Sequence, residues 1–518
     1  MDKKSKYSKV FSSQTSAVKA KLIELELNIS QGQPQINIVG LPDKAVEEAK
    51  DRVSSALENS NFEKSTEFKT LKALFGKITI SLAPADLKKN GALFDLPLAI
   101  AYLLAQEEIK EPKIDLEKTL FLGELALDGR IKPVKGALSA AKLASELGFK
   151  TLILPKANAK EAAFVDAVDV YGFEHLADLV EFLRAKRSVQ KEPPLSLPQN
   201  FVKPKVLLDD IKGQALAKRA LTIAAAGGHN MALFGPPGTG KSMLAKVFAE
   251  LLPPLSKQEA LEVTMIHSAA GVLRETVLFR PPFRAPHHSA SYVSVIGGGA
   301  NISPGEVTLA HKGVLFMDEF PEFDRRVINA LREPLEERKI TVARASGSET
   351  FPADFLLIVA LNPCPCGFYG TSKCSCSISA VQRYQAKISG PIADRIDIWV
   401  NVDQVEYKKL LSDEKRSAKE HNLALKQIKK ARALQNRRFT NNNYKLNAKM
   451  SAAAINKYIK LGSRETEILN TAAEKMGLSA RAYHKVLKLA RTIADLDEAE
   501  KIEEAHILET LSYRERQL

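Results

Sequence analysis

Between the apolar run Met231-Ala232-Leu233-Phe234 and a helix-like stretch from Lys241 lies the string Gly235-Pro236-Pro237-Gly238-Thr239-Gly240-Lys241-Ser242. Few strings of eight residues constrain a fold more. Its glycines let backbone N–H groups turn inward around phosphates, Lys241 sets a point charge on the β/γ oxygens, and Ser242 offers a hydroxyl to Mg²⁺. The surrounding unit must then be a strand, a tight turn and a helix within an α/β sheet. A chance glycine turn is the competing reading, and a second half-site downstream argues against it.

That half is Val314-Leu315-Phe316-Met317, an apolar strand ending in Asp318 and Glu319. Asp318 is expected to hold the Mg²⁺ shell, and Glu319 to polarise the attacking water as general base, which marks hydrolysis rather than nucleotide binding alone. Paired acids at a strand end also occur as a solvated turn. A third apolar run, residues 355–361, ends in Asn362, a polar tip able to orient the water. Arg395 stands between Asp394 and Asp397, where an intramolecular ion pair is the alternative to a role at a nucleotide.

A chain of 518 residues exceeds one hydrophobic core. Residues 1–186 read as an α/β domain with short strands at 36–39 and 78–82 and a helix at 94–106. Its strands look too few and too short for a large doubly wound sheet. Prolines at 193, 194, 198 and 204 mark residues 187–206 as a linker. Residues 207–402 carry the phosphate-binding unit, and 403–518 turn almost wholly helical. No apolar run approaches the ~20 residues that span a bilayer, and the basic start lacks an export signal, so a soluble, cytoplasmic chain is expected. The formal charge of +14 favours a polyanionic partner such as DNA.

All four cysteines, Cys364, Cys366, Cys374 and Cys376, fall within thirteen residues. Four thiolates can close a tetrahedral structural Zn²⁺ site with no open position for catalysis; the alternative is a loop of reduced thiols. A long insert, about residues 268–304, carries Arg280, Arg284, His287, His288 and a glycine run at 297–299. Residues 338–351 suggest a hairpin with Lys339 and Arg344. Both loops are candidate DNA contacts, with packing against a neighbouring subunit as the alternative. Lys485, Lys488 and Arg491, spaced three apart, share one helix face that reads as solvated.

Together these residues resemble the magnesium-chelatase-like branch of AAA+ ATPases, and within it the ComM/YifB family. The strings IVGLPDKAVEEAKDRV (38–53), LAPADLKKNGALFDLPLAIA (82–101), GELALDGRIKPVKGAL (123–138), FRAPHHSAS (283–291), LNPCPCG (361–367) and SGPIADRID (389–397) carry the likeness across nearly the whole chain. The resemblance implies a P-loop AAA+ ATPase core, an N-terminal S5/Lon-protease-like α/β domain and a C-terminal helical lid. It implies ATP and Mg²⁺ as cofactors, Asn362 as sensor 1, Arg395 as an arginine finger acting in trans, and Arg481 as the sensor-2 arginine. It further implies a hexameric ring with both candidate loops facing its channel, and DNA translocation in branch migration during natural transformation. Lon-type proteases need a serine shortly after the glycine matching Gly91 and a lysine near Leu138. Here Ala92-Leu93-Phe94-Asp95 follows Gly91, and the lysine is missing from 136–139, so no peptidase is expected. A metal-chelatase motor subunit and a non-motor protein-docking module are the alternative functions.

Overall fold

A computed structural model describes residues 6–514 except 17, 34, 66–67, 70–76, 88, 90, 196–203, 300–301, 345–346, 389, 405–416, 441 and 443. It divides into two compact units, one of residues up to 199 together with 260–278, the other of residues 200–259 and 279 onward.

The first unit is built on a seven-stranded sheet in the order Gln35–Val39, Lys77–Ala83, Lys19–Ser30, Lys6–Ser16, Thr119–Phe121, Thr151–Pro155, Asp169–Phe173. This corrects the expectation of few, short strands. Lys6–Ser16 and Lys19–Ser30 pair antiparallel along their full length. They escape a search for apolar runs because Lys6–Ser16 is largely polar and the apolar residues of Lys19–Ser30 alternate with polar ones from Ile23 to Ile29. Ile23, Leu25 and Leu27 are buried, while Glu24 and Glu26 face outward. On the other half, Leu120, Leu152 and Leu154 enter one hydrophobic cluster while their neighbours Phe121 and Ile153 enter another. Both faces there are therefore covered, as parallel strands require.

Within the helix Asp95–Ala105 nearly every side chain is buried. Its first residue, Asp95, is fully buried and accepts from Arg52 Nε and Nη2 at 2.8 and 2.9 Å and from the Leu125 N–H. The proline-rich segment is less free than its composition suggests. Glu192 and Leu195 donate backbone N–H bonds to Val170 and Ala163, which ties its first part onto this unit.

In the second unit five parallel strands lie in the order Phe283–Arg284, Val314–Met317, Leu356–Leu361, Met231–Phe234, Ile398–Asn401. The central three are almost wholly buried, which explains their unbroken apolar sequence. Phe283–Arg284, expected inside a long insert loop, is instead the edge strand. Gly297–Gly298 pair with Ser303–Pro304 in a short hairpin, with φ of 112° and 124° at the two glycines, a region that favours glycine.

The helices Lys419–Arg438, Ser463–Lys475, Ala480–Leu496 and Glu504–Ser512 follow the sheet. Ile428, Leu489 and Ile493 join its core, and a separate cluster around Phe439, Leu469, Ala490 and Ile507 holds the helices together. The basic face of Ala480–Leu496 is not solvated as expected. Lys485 donates to the Ile396 carbonyl, Lys488 to that of Ala448, and Arg491 to Asp495 and the carbonyls of Ala499 and Glu500. Fully buried Asp495 also accepts two bonds from Arg438 and one from Asn447, so its charge is shared among several donors rather than left alone.

Candidate nucleotide site and its arginines

The three central strands of the second sheet each deliver one component at their C-terminal ends. Met231–Phe234 runs into the glycine turn, and the helix Lys241–Leu251 leaves it. Gly238 and Gly240 have φ of 78° and 89°, so their need for glycine is conformational. Gly235 is required for space instead, since a Cβ there would lie 2.2 Å from the Val402 carbonyl oxygen. The buried Lys241 ammonium donates to the carbonyls of Gly235 (2.7 Å) and Pro236 (2.8 Å) and to Asn362 Oδ1 (3.1 Å). Burial pushes its pKa down, a penalty that an arriving phosphate would offset. Thr239 Oγ1 donates to the Pro236 carbonyl and fixes the turn.

Ser242 Oγ donates to Asp318 Oδ2 at 2.8 Å. A hydroxyl and a carboxylate already in contact are the donor set that Mg²⁺ takes beside a phosphate. Glu319 follows with φ of 50°, a left-handed conformation costing about 1–2 kcal/mol outside glycine and typical of functional sites. Its carboxylate meets His288 Nδ1 at 3.0 Å. Sequence reading assigned His288 to DNA; here it contacts the expected catalytic base. Lys241, Ser242, Asp318, Glu319 and Asn362 thus lie at one sheet edge, with ATP fitted by the glycine turn.

The cysteine loop begins two residues after Asn362. Cys364, Cys366, Cys374 and Cys376 bring their sulfurs within 4.8 Å of one another. Three of the separations are 3.3, 3.7 and 3.9 Å. A tetrahedron of ~2.3 Å Zn–S bonds demands sulfurs ~3.8 Å apart, so the cluster fits zinc. Backbone N–H groups of Phe368 and Ser375 lower the Cys366 thiol, whereas the crowding of the sulfurs raises those of Cys374 and Cys376, so four thiolates together would need a bound cation to offset their repulsion. The loop abuts the nucleotide turn: a Cβ on Gly367 would lie 2.5 Å from Pro237 Cδ.

Arg395 lies elsewhere. Its carbonyl accepts from Asn230 Nδ2 at 3.0 Å, and Asn230 precedes the strand Met231–Phe234 whereas Gly235 follows it. The five residue steps from Asn230 to Gly235 separate those ends by roughly 16 Å. Its guanidinium pairs with neither Asp394 nor Asp397, the two partners considered from sequence. Nη2 meets Glu336 Oε1 at 2.5 Å, and Arg481 Nη2 meets the same oxygen at 2.8 Å. Arg395 first and Arg481 second hold the Glu336 carboxyl below its usual pKa. Sequence reading missed Glu336, because the charged string Glu336-Glu337-Arg338-Lys339 resembles any solvated helix end.

The residues expected on DNA-facing loops have partners within the chain. Arg280 meets Glu250 (3.1 Å), Arg284 bonds both oxygens of Glu306 (2.5 and 2.6 Å), His287 bonds Ser289, and Lys339 meets Glu337 (3.1 Å). Lys339–Arg344 and Gly347–Pro352 do form a hairpin, with Lys339 opposite Pro352. The Arg344 side chain lies outside the described residues.

Three family models match: Magnesium chelatase, subunit ChlI, over residues 207–410; Subunit ChlI of Mg-chelatase over 25–158; and Magnesium chelatase, subunit ChlI C-terminal, over 420–514. Competence protein ComM of Haemophilus influenzae is 40% identical over 512 residues, 98% of this chain and 97% of that protein. The protein YifB of Escherichia coli is 41% identical over 498 residues, 96% and 95% of the two chains. The chain belongs to the ComM/YifB family of magnesium-chelatase-like AAA+ ATPases. A magnesium-chelatase 67 kDa subunit of Chlorobaculum parvum is 29% identical over only 162 residues, 30% of this chain and 23% of that one. Among the described residues no helix is long and apolar enough to cross a membrane.

The geometry separates two roles that mutation can test. On the expected assignment Lys241 would contact phosphate in the ground state, whereas Glu319 would act on the water as charge develops. Lys241→Ala is expected to lose tight ATP binding, and Glu319→Gln to keep it while turnover stops. Nucleotide titration alongside ATPase assay checks this, and equal loss of affinity in both variants would refute the division.

Proposed function

We propose that the chain assembles into a ring, hexameric as in its family, that couples ATP hydrolysis to movement along DNA and promotes branch migration in the recombination of transforming DNA. The observation that carries the reading is the position of Arg395 at the sheet edge opposite its own glycine turn. An arginine so placed serves a neighbour's nucleotide rather than its own, and a subunit completed by its neighbour needs a closed ring. The net charge of +14 and the 339–352 hairpin support a DNA polymer in the channel, and a relative similar over its full length carries the name Competence protein. Arg280, Arg284, His287, His288, Lys339 and Arg344 remain the proposed DNA contacts, with Arg280, Arg284 and Lys339 exchanging their acidic partners for phosphates.

The first unit acts as an S5/Lon-like ring or docking module without peptidase activity. Where that chemistry would need a serine, the chain has Ala92 and Leu93, and Asp95 is tied to Arg52. One structural Zn²⁺ sits on the four cysteines and stiffens the loop against Pro237. The proposed division runs 1–186, 187–206, 207–402 and 403–518, in a cytoplasmic protein.

Three measurements test this. ATPase activity should rise with single-stranded or forked DNA, and no response to either would favour the docking-module reading. Metal analysis should find about one zinc per chain, with loss of metal in Cys364→Ser accompanied by a looser assembly; a zinc-free protein that assembles and turns over normally would leave the thiols as plain loop residues. Arg395→Ala should bind ATP yet hydrolyse it about 10³-fold or more slowly, the range of an arginine finger. Mixing it with Glu319→Gln chains should restore part of the activity, since some interfaces then pair an intact glutamate with an intact arginine. No rescue would make Arg395 a residue of its own subunit.

A further inference from the structure

Glu336 offers one oxygen to two guanidiniums that come from distant parts of the chain. It lies on the helix Arg332–Glu337, Arg395 on the turn before Ile398–Asn401, and Arg481 in the first turn of Ala480–Leu496. The three are unequally exposed: the Arg395 side chain only 9%, Glu336 45% and Arg481 46%. The arrangement leaves Arg395 poorly satisfied. Its Nη1 donates to the Pro391 carbonyl, but its buried Nε has no hydrogen-bond partner among the described residues. Buried donors are seldom left so, and an acceptor supplied by a ligand is one explanation for such a group. The charges also fail to balance within the group, two cations facing one carboxylate, which leaves room for a further anion at a half-exposed surface.

We propose that Glu336 is a positioning residue that holds Arg395 and Arg481 for a second copy of this chain, and that the triphosphate of that copy displaces it. The inference rests on the reading of Arg395 as a residue acting in trans. In the isolated subunit the carboxylate keeps both guanidiniums gathered and screens their charge. At the ring interface a polyanion bearing several oxygens outcompetes the single shared one, satisfying Nε and supplying each arginine with its own acceptors. Displacing Glu336 takes up part of the free energy that the loaded neighbour's phosphates supply, so ATP binding in one subunit and docking of the next become coupled equilibria. A simple staple between the helix Arg332–Glu337 and the lid is the competing account, and it makes different predictions.

The test compares Glu336→Gln with the wild type by sedimentation over a range of chain concentrations, with and without ATP, each in the Glu319→Gln background so that ATP persists. Expected is an assembly midpoint about 5-fold or more lower with ATP, the lower end of the range for coupled sites, and no shift without it. Adding Arg395→Ala should abolish most of that shift, as it removes the group Glu336 holds. A midpoint unmoved by ATP, a shift equal in both conditions, or a nucleotide-free chain that unfolds at markedly lower temperature would each make Glu336 a staple and overturn the proposal. The parent reading fails separately: Arg395→Ala with undiminished turnover removes the trans arginine itself, whatever Glu336→Gln does.

Discussion

The direction of the five parallel strands decides what each polar residue of the ATPase core can reach. Because all five run the same way, residues that follow a strand gather at one edge and residues that precede one gather at the other. Gly235, Asp318 and Asn362 follow their strands; Arg395 precedes its own. The Lys241 ammonium ties the first edge together by bonding the turn that follows one strand and the asparagine that follows the next. No side-chain rotation brings Arg395 across the sheet to them. The division of labour proposed between subunits is in this sense a consequence of sheet topology, and the arginine's chemistry only makes use of it.

Much of this was legible in the sequence because the nucleotide edge is written in strong local signals. The turn needs glycine at Gly238 and Gly240 for backbone angles and at Gly235 for room, and buried parallel strands leave unbroken apolar runs before Asp318 and Asn362. The long hairpin of the first unit was missed because its strands alternate Ile23, Leu25 and Leu27 with charged residues, a pattern that a search for apolar runs passes over. Glu336 and the His288–Glu319 contact are hidden for another reason: both depend on segments far apart in sequence meeting in space, and Glu336 stands in no distinctive local context. The insert read as one long loop failed at Phe283–Arg284, where two residues suffice to add an edge strand.

The cysteine loop bears on the same edge. It leaves the sheet directly after Asn362 and returns Gly367 against Pro237, so the residues that would orient water and cradle phosphate share a wall with the thiolate cluster. A metal that fixes four sulfurs fixes the chain between Cys364 and Cys376, and with it the support behind the turn. Gly367 has a φ of 83°, and its missing side chain is what permits the approach. Sequence spacing could suggest the ligands; only the contact with Pro237 relates them to the nucleotide.

Net charge proves a coarser guide than the motifs. In the lid the basic residues that look most available are consumed internally. Arg438 and Arg491 share Asp495, Lys485 bonds the Ile396 carbonyl and meets Asp397, and Arg432 donates twice to the Ala225 carbonyl, with burial lowering its pKa to about 10. Lys312 and Lys449 are both taken by Asp354. These cations contribute to the formal count but offer little to a polymer, since moving them would strand a buried carboxylate or, for Arg432, a buried carbonyl. The positive field that a polyanion would meet must come from side chains whose partners are exposed and exchangeable, as Lys339 with Glu337 is and Arg491 with Asp495 is not. A basic chain is thus better judged by which of its charges can be given up than by how many it carries.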